Sequence, residues 1–429
     1  MDLFIPFGVM VILMLLNVPI AFAMGLAGIL GIWIITGDLG VLINILGTTP
    51  FNMVANYTLT TIPMFILMAF LASEGGLANN VYDAASKWVS HLRGGLGIAS
   101  IFATMIFGAM SGVASAAASV MSKVALPQMR RFGYSEVLAS GIIAVASTTD
   151  VLIPPSVGFV IYGIVTETSI SKLFIAGVIP GVLVCVLLSL CVLVWVTIRP
   201  QDAPKASQAE AWVERWRSLF AIWPSLLLIL FVLVALYTGI ATPTEVGAIG
   251  AFVAGVIGLI IGCLTWTATL RAFKEAIRIS TMIFLILIGA AVFGYYVTLS
   301  QMPQSIMTFV TEMNVNRYIV IICIITCYFI ISMFMDELPL LLLVLQIAFP
   351  LVLMLGFDPI WFGVICMLMI SMGLIFPPVA IVCFVVASTG NVELIKVYKG
   401  TYILVIALIL ATILIIFFPE IALWLPSMM

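Results

Sequence analysis

Apolar side chains run along this chain in blocks at residues 4–22, 24–46, 57–73, 172–198, 219–239, 243–263, 281–300 and 400–425. About 20 such residues carry a helix across the hydrocarbon core, so each block predicts a spanning helix. Two further blocks, 135–166 and 358–388, have the length but are interrupted by Pro154–Pro155 and Pro377–Pro378. A proline inside a helix removes a backbone donor and clashes with the carbonyl one turn back, so both blocks predict broken helices. Non-helical backbone survives at membrane depth only where protein buries it or where it lines a polar cavity. Residues 147–156, STTDVLIPPS, are therefore the first candidate site. The stretches 98–131 and 318–355 are apolar but too interrupted for simple spans, and predict re-entrant hairpins. Segments 79–93 and 267–279 alternate apolar and polar groups at helical spacing, the pattern of helices lying in the membrane interface.

One shift of 223 residues lays Pro127 on Pro350, Gly133 on Gly356, Tyr134 on Phe357, Pro154 on Pro377 and Pro155 on Pro378. An ordered set at one offset predicts an internal repeat: residues 1–205, a cytoplasmic linker 206–218, and residues 219–429. If the hairpins do not cross, each half crosses five times, and an odd count inverts the second half. With the N-terminus outside, fourteen of the sixteen lysines and arginines fall in cytoplasmic segments, leaving only Lys172 and Arg317 outside. That bias satisfies the positive-inside rule and puts both termini in the periplasm. The first block, preceded by Asp2 rather than a basic residue, is expected to be a retained span, not a signal peptide.

With 64% hydrophobic and 8% charged residues, the chain reads as an all-α polytopic membrane protein. A net charge of −2 gives no basic field for nucleic acid. The seven cysteines lie in apolar segments, as small core residues do, and one histidine, His91, argues against histidine-based metal or haem sites. No cofactor motif or nucleophile with a base points to an enzyme.

Few residues remain that carry chemistry. At the tip of the first hairpin, Ser111, Gly112 and Ser115 sit where a re-entrant turn leaves carbonyls free; these oxygens suit an alkali cation, and small residues there also suit close helix packing. Asp150 either marks an ion or proton pathway or is a buried acid satisfied by Ser147, Thr148, Thr149 or a helix N-terminus. On the second hairpin, Asp336 and Glu337 are the other intramembrane acids, with Asp336 either capping a half-helix or binding an ion. Glu245, after Pro243, reads as a helix-start acid capped by Thr242 or Thr244. No arginine lies in a central span, so an organic anion would be held by backbone amides, hydroxyls and a co-bound cation. Candidate substrate contacts are Ser115, Thr148, Thr149, Ser156 and Asp336.

Several stretches together resemble one family. They are IPMFI (Ile62 to Ile66), LRGGL (Leu92 to Leu96), LPQMRRFGY (Leu126 to Tyr134), IPPS (Ile153 to Ser156), TPTEVGAIGA (Thr242 to Ala251), MDELP (Met335 to Pro339), GFDPIWFGV (Gly356 to Val364) and FPPV (Phe376 to Val379). In this order they resemble the large, DctM-type membrane subunit of tripartite ATP-independent periplasmic (TRAP) transporters, within the ion-transporter superfamily. The resemblance implies a bacterial inner-membrane importer of an organic anion, a carboxylate or sulfonate, coupled to Na+ and moving by an elevator motion. It also implies two partners, a small four-helix DctQ-type subunit and a periplasmic DctP-type binding protein. One cation site is implied at Ser111, Gly112, Asp150, Ile153 and Pro154, and another at Ser332, Gly373, Phe376 and Pro377. The chain departs from the family pattern at Asp150 and Ser332, where glycine is usual, and at Phe376, where threonine is usual. The alternative is a stand-alone proton- or Na+-coupled dicarboxylate or anion carrier of the same superfamily.

Overall fold

A computed structural model describes residues 5–89, 91–203, 211–313 and 315–429, and every regular element among them is helical. The first half contains α1 (Ile5–Leu15), α2 (Ile20–Thr36), α3 (Leu39–Val54), α4 (Thr61–Glu74), α5 (Leu77–Val89), α6 (Gly95–Ser111), α7 (Ala114–Arg131), α8 (Glu136–Ser147), α9 (Val157–Thr166) and α10 (Ile170–Ile198). The second contains α11 (Trp212–Thr238), α12 (Pro243–Ile261), α13 (Trp266–Leu299), α14 (Met302–Glu312), α15 (Arg317–Ser332), α16 (Glu337–Met354), α17 (Pro359–Gly373), α18 (Ile381–Gly390), α19 (Leu394–Leu404), α20 (Ile406–Phe417) and α21 (Glu420–Leu423).

The shift of 223 carries the limits of α7 onto those of α16, the first residue of α2 onto that of α12, and the first residue of α8 onto that of α17. Helices α6 and α15, and α9 and α18, then start within one residue of each other. Packing repeats the relation. Helix α2 packs on α13 and α4 on α12, while α7 packs on α18 and α9 on α16. Exchanging the halves turns each of these pairs into the other, as an isologous interface does between two subunits. Small residues permit the tightest crossings: a Cβ on Gly141 of α8 would stand 2.6 Å from the Cα of Gly400 in α19.

Helix ends follow local chemistry. Thr242 and Glu245 close a reciprocal capping box at the start of α12, as expected of that acid. Ser135 and Ser156 cap α8 and α9, and Asp358 caps α17, whose first residue is a proline.

Three sequence expectations change. The blocks 4–22 and 24–46 are three helices, not two, because Asn17 turns with φ 61° before Pro19 and Gly37 ends α2 with φ 62° before the Asp38 cap. Segment 267–279 is not a separate interfacial helix but the start of the 34-residue α13, which continues through the predicted span 281–300. Helix α11 begins at Trp212, inside the stretch assigned to a linker; residues 206–210 of that stretch lie outside the described residues. Among the described residues six helices are long and apolar enough to cross a membrane, seven if the two parts of α11, bent by 53° between Phe220 and Ile222, form one span. Val182, Val186, Leu190 and Val194 form an exposed apolar stripe along α10, a surface for lipid rather than water.

Candidate functional site

Both proline pairs interrupt their helices. After α8 the chain makes a short 3-10 turn at Thr148–Val151 and regains α-helix only at Val157; after α17 it regains it at Ile381. The end of a hairpin helix lies across each break. In the first half Gly108 of α6 faces Asp150, so that an added Cβ would stand 2.5 Å from the Asp150 Cβ. One turn on, Gly112 takes φ 60° and a Cβ there would meet the Pro155 carbonyl at 3.2 Å. In the second half Gly373 abuts Ser332 too closely for any Cβ, and the Val379 amide donates to the Met333 carbonyl at 3.4 Å.

Asp150 is fully buried, and its carboxylate has no side-chain hydrogen-bond partner, only the backbone amides of its own turn at Asp150 and Val151 beside it. The nearby hydroxyls do not serve it. Ser147, Thr148 and Thr149 donate to the carbonyls of Ile143, Val145 and Ala146, one turn back in their own helix. Ser156 is occupied as the α9 cap, accepting from the Phe159 amide at 3.4 Å. The Ser111 side chain lies outside the described residues. A buried carboxylate that no side chain partners is stable only when a cation or a proton satisfies it. Asp150 beside a non-helical segment is thus the group in this half that fits a cation best, with Ile153 and Pro154 supplying the segment's backbone.

The second set is built differently. Ser332 Oγ lies within donating distance of the carbonyls of Phe329 (2.6 Å) and Met369 (3.1 Å), so its hydroxyl ties α15 to α17. The Gly373 carbonyl accepts from the Phe376 amide, and the Phe376 ring packs edge-on against Phe329 and Tyr402. Pro377 follows in the break. These residues do meet around one break, but no carboxylate is among them.

A cavity of ≈ 150 Å³ opens where the two hairpin tips converge, closed on one side by Ile66 of α4 and by Ile279, Met282 and Ile283 of α13. Of the proposed site residues it takes in Gly112, Ser115 and Asp336; Thr148, Thr149 and Ser156 do not line it. Asp336 does cap α16, accepting from the Glu337 amide at 2.9 Å. Glu337, left out of the candidate site, also lines the cavity; its Oε1 is buried without a partner. It was overshadowed in sequence by its neighbour in the helix-start pattern MDELP, where the second acid reads as a first-turn residue. A larger groove of ≈ 490 Å³ between α10 and the C-terminal helices is apolar but for Arg199, and lies away from both breaks.

The model of the family "Tripartite ATP-independent periplasmic transporter, DctM component" matches residues 7–421. The C4-dicarboxylate TRAP transporter large permease protein DctM of Pseudomonas aeruginosa is 31% identical over 94% of both chains. The sialic acid permease SiaM of Vibrio cholerae is 30% identical over 97% of this chain and 96% of its own. The ectoine permease TeaC of Halomonas elongata is 29% identical over 97% of each. Among solved structures, the YdaH transporter of Alcanivorax borkumensis shares the fold with a TM-score of 0.61 at 14% identity, covering 89% of this chain and 90% of that one.

Proposed function

Because the chain belongs to the DctM family, the large component of tripartite ATP-independent periplasmic transporters, we propose that it imports an organic acid, a carboxylate or sulfonate, together with Na+. The family makes it a multi-pass membrane transport protein and not an enzyme. Asp150 carries the Na+ reading: a fully buried carboxylate without a side-chain partner, at a helix break, binds a cation that enters with the solute. Gly112, Ile153 and Pro154 contribute backbone around it, and the α7 N-terminus at Ala114 and Ser115 receives the acid group of the solute. The hairpins and broken helices move together against α4 and α13, which wall the cavity, so that the cavity meets each side of the membrane in turn. A small membrane subunit completes the permease, and a periplasmic binding protein delivers the solute to it.

The test is uptake into vesicles containing the chain with its small subunit, with and without the binding protein, under inward gradients of Na+, K+ or protons. Uptake that needs both the binding protein and Na+ supports the proposal. Uptake by the large subunit alone, driven by a proton gradient, establishes the stand-alone carrier instead.

A further inference from the structure

The groove between α10 and the C-terminal helices has one charged end. It runs along α10 from Leu187 to Ile198 and along α19 and α20 from Ile403 to Leu410, and Arg199 is its one charged lining residue. The stretch of α10 from Leu187 to Ile198 rises about 16 Å, close to half of the roughly 30 Å hydrocarbon core. The groove is therefore one leaflet deep. Its volume of ≈ 490 Å³ over that length gives a mean cross-section of about 30 Å², against about 80 Å² for a helix about 10 Å across. It is too narrow for a helix of another chain and open to an extended hydrocarbon chain.

The charged end lies at a membrane surface. The Ser135 amide donates to the Asp202 carbonyl at 2.9 Å, and Glu136 pairs with Lys396 at 2.9 Å, so the end of α10 and the start of α19 share one end of the molecule. The distribution of lysine and arginine assigns that end to the cytoplasm. Trp195, buried in the groove wall, donates its indole N–H to Asp202 Oδ2 at 2.8 Å and so engages the acid nearest to Arg199 in sequence. Arg199 itself is exposed and makes no ion pair among the described residues. Lys399, one turn before Ile403 on the same face of α19, is exposed as well. A free anion would satisfy Arg199 but gain nothing from the apolar walls, and a neutral lipid would fill the walls but leave the guanidinium without a counter-charge.

We propose that the groove holds one phospholipid of the cytoplasmic leaflet with an anionic headgroup, an acyl chain lying along α10 and the phosphate on Arg199, with Lys399 adding positive charge. Helix α10 also backs the first helix break, where a Cβ on Gly181 would stand 2.7 Å from Ile153, so a lipid held there braces the helix behind that break. The permease, purified with its small subunit in a neutral detergent, is titrated with phosphatidylglycerol, with phosphatidylcholine of the same chains, or with glycerol phosphate, and its thermal midpoint is recorded. Phosphatidylglycerol should bind about fivefold more tightly than phosphatidylcholine, the preference given by one basic residue at the surface, and glycerol phosphate should have no effect. Arg199→Gln should abolish the preference and Arg199→Lys should keep most of it. Val194→Trp, which fills the groove from an exposed wall position, should weaken phosphatidylglycerol about tenfold, the effect of excluding two methylene groups. The midpoint in detergent alone, unchanged in these variants, shows that each is folded. Equal effects of the two lipids on wild type overturn the proposal, and are the result expected if the small subunit covers the groove. A preference that survives Arg199→Gln, or an affinity untouched by Val194→Trp, overturns it too. Stabilisation by glycerol phosphate equal to that by phosphatidylglycerol replaces the lipid with a free anion.

Discussion

Ser371 Oγ donates to the carbonyl of Thr148 at 2.7 Å, sharing its proton with the Met367 carbonyl of its own helix at 2.9 Å. The two residues are 223 apart, so equivalent positions of the two halves meet directly, each next to its own helix break. In Ser371→Ala the Thr148 carbonyl loses this donor in a buried setting, a change of about 1–2 kcal/mol. The thermal midpoint of the detergent-solubilised protein should fall, and Ser371→Thr should restore it. An unchanged midpoint in Ser371→Ala would mean that this bond contributes nothing to holding the halves together.

Gly112 is required by conformation as well as by space. Its φ of 60° disfavours any side chain, and a Cβ would press on the Pro155 carbonyl. Gly112→Ala should therefore cost roughly 1–2 kcal/mol at the hairpin tip and lower the uptake rate much more than it lowers the amount of folded protein in the membrane. Rates and folded yields falling in proportion would assign Gly112 to folding alone.

Ser332 binds protein carbonyls in the structure, so its hydroxyl serves packing between α15 and α17. Ser332→Ala is expected to lower stability by about 1 kcal/mol while the Na+ concentration for half-maximal uptake stays the same. A several-fold rise in that concentration would return Ser332 to the cation ligands.

At the other end of the broken helix, Glu136 accepts from Lys396 of α19 at 2.9 Å and pairs with Arg130 of α7 at 2.9 Å. All three side chains are about one-third exposed, between 32% and 37%, so each pair is weak and is screened by salt. Glu136→Gln should lower the thermal midpoint at low ionic strength, and the difference from wild type should shrink in 0.5 M choline chloride. A difference that persists at high salt would point to packing of the α7, α8 and α19 junction instead.

The helix breaks were legible because adjacent prolines remove two backbone donors in succession, whereas the single prolines Pro127, Pro180 and Pro350 stay inside continuous helices. The repeat was legible because its markers are prolines and glycines. The N-terminal boundaries were not, because the turn at Asn17 and the cap at Gly37 and Asp38 are punctuation inside otherwise apolar sequence. The polar face of 267–279 suggested an interfacial helix, yet no breaker separates it from the apolar residues that follow, and α13 runs straight through. Hydroxyls were the least readable groups. Thr148 and Thr149 look like ligands in sequence, but a serine or threonine in a helical turn finds a carbonyl three or four residues back. Glu337 shows the converse, since only the fold reveals that it is buried at the tip of a hairpin facing the N-terminus of α9, where a Cβ on Gly158 would collide with its Oε1.

Binding of Na+ by Asp150 is measured most directly as the thermal midpoint of the purified permease in Na+ compared with K+ at equal ionic strength, for wild type and Asp150→Asn. A ligand at 100 times its dissociation constant stabilises the folded state by about 2.7 kcal/mol. Wild type should therefore be more stable in Na+ than in K+, and Asp150→Asn should lose most of that difference. Equal Na+-specific stabilisation of the two proteins would contradict a cation site built on Asp150.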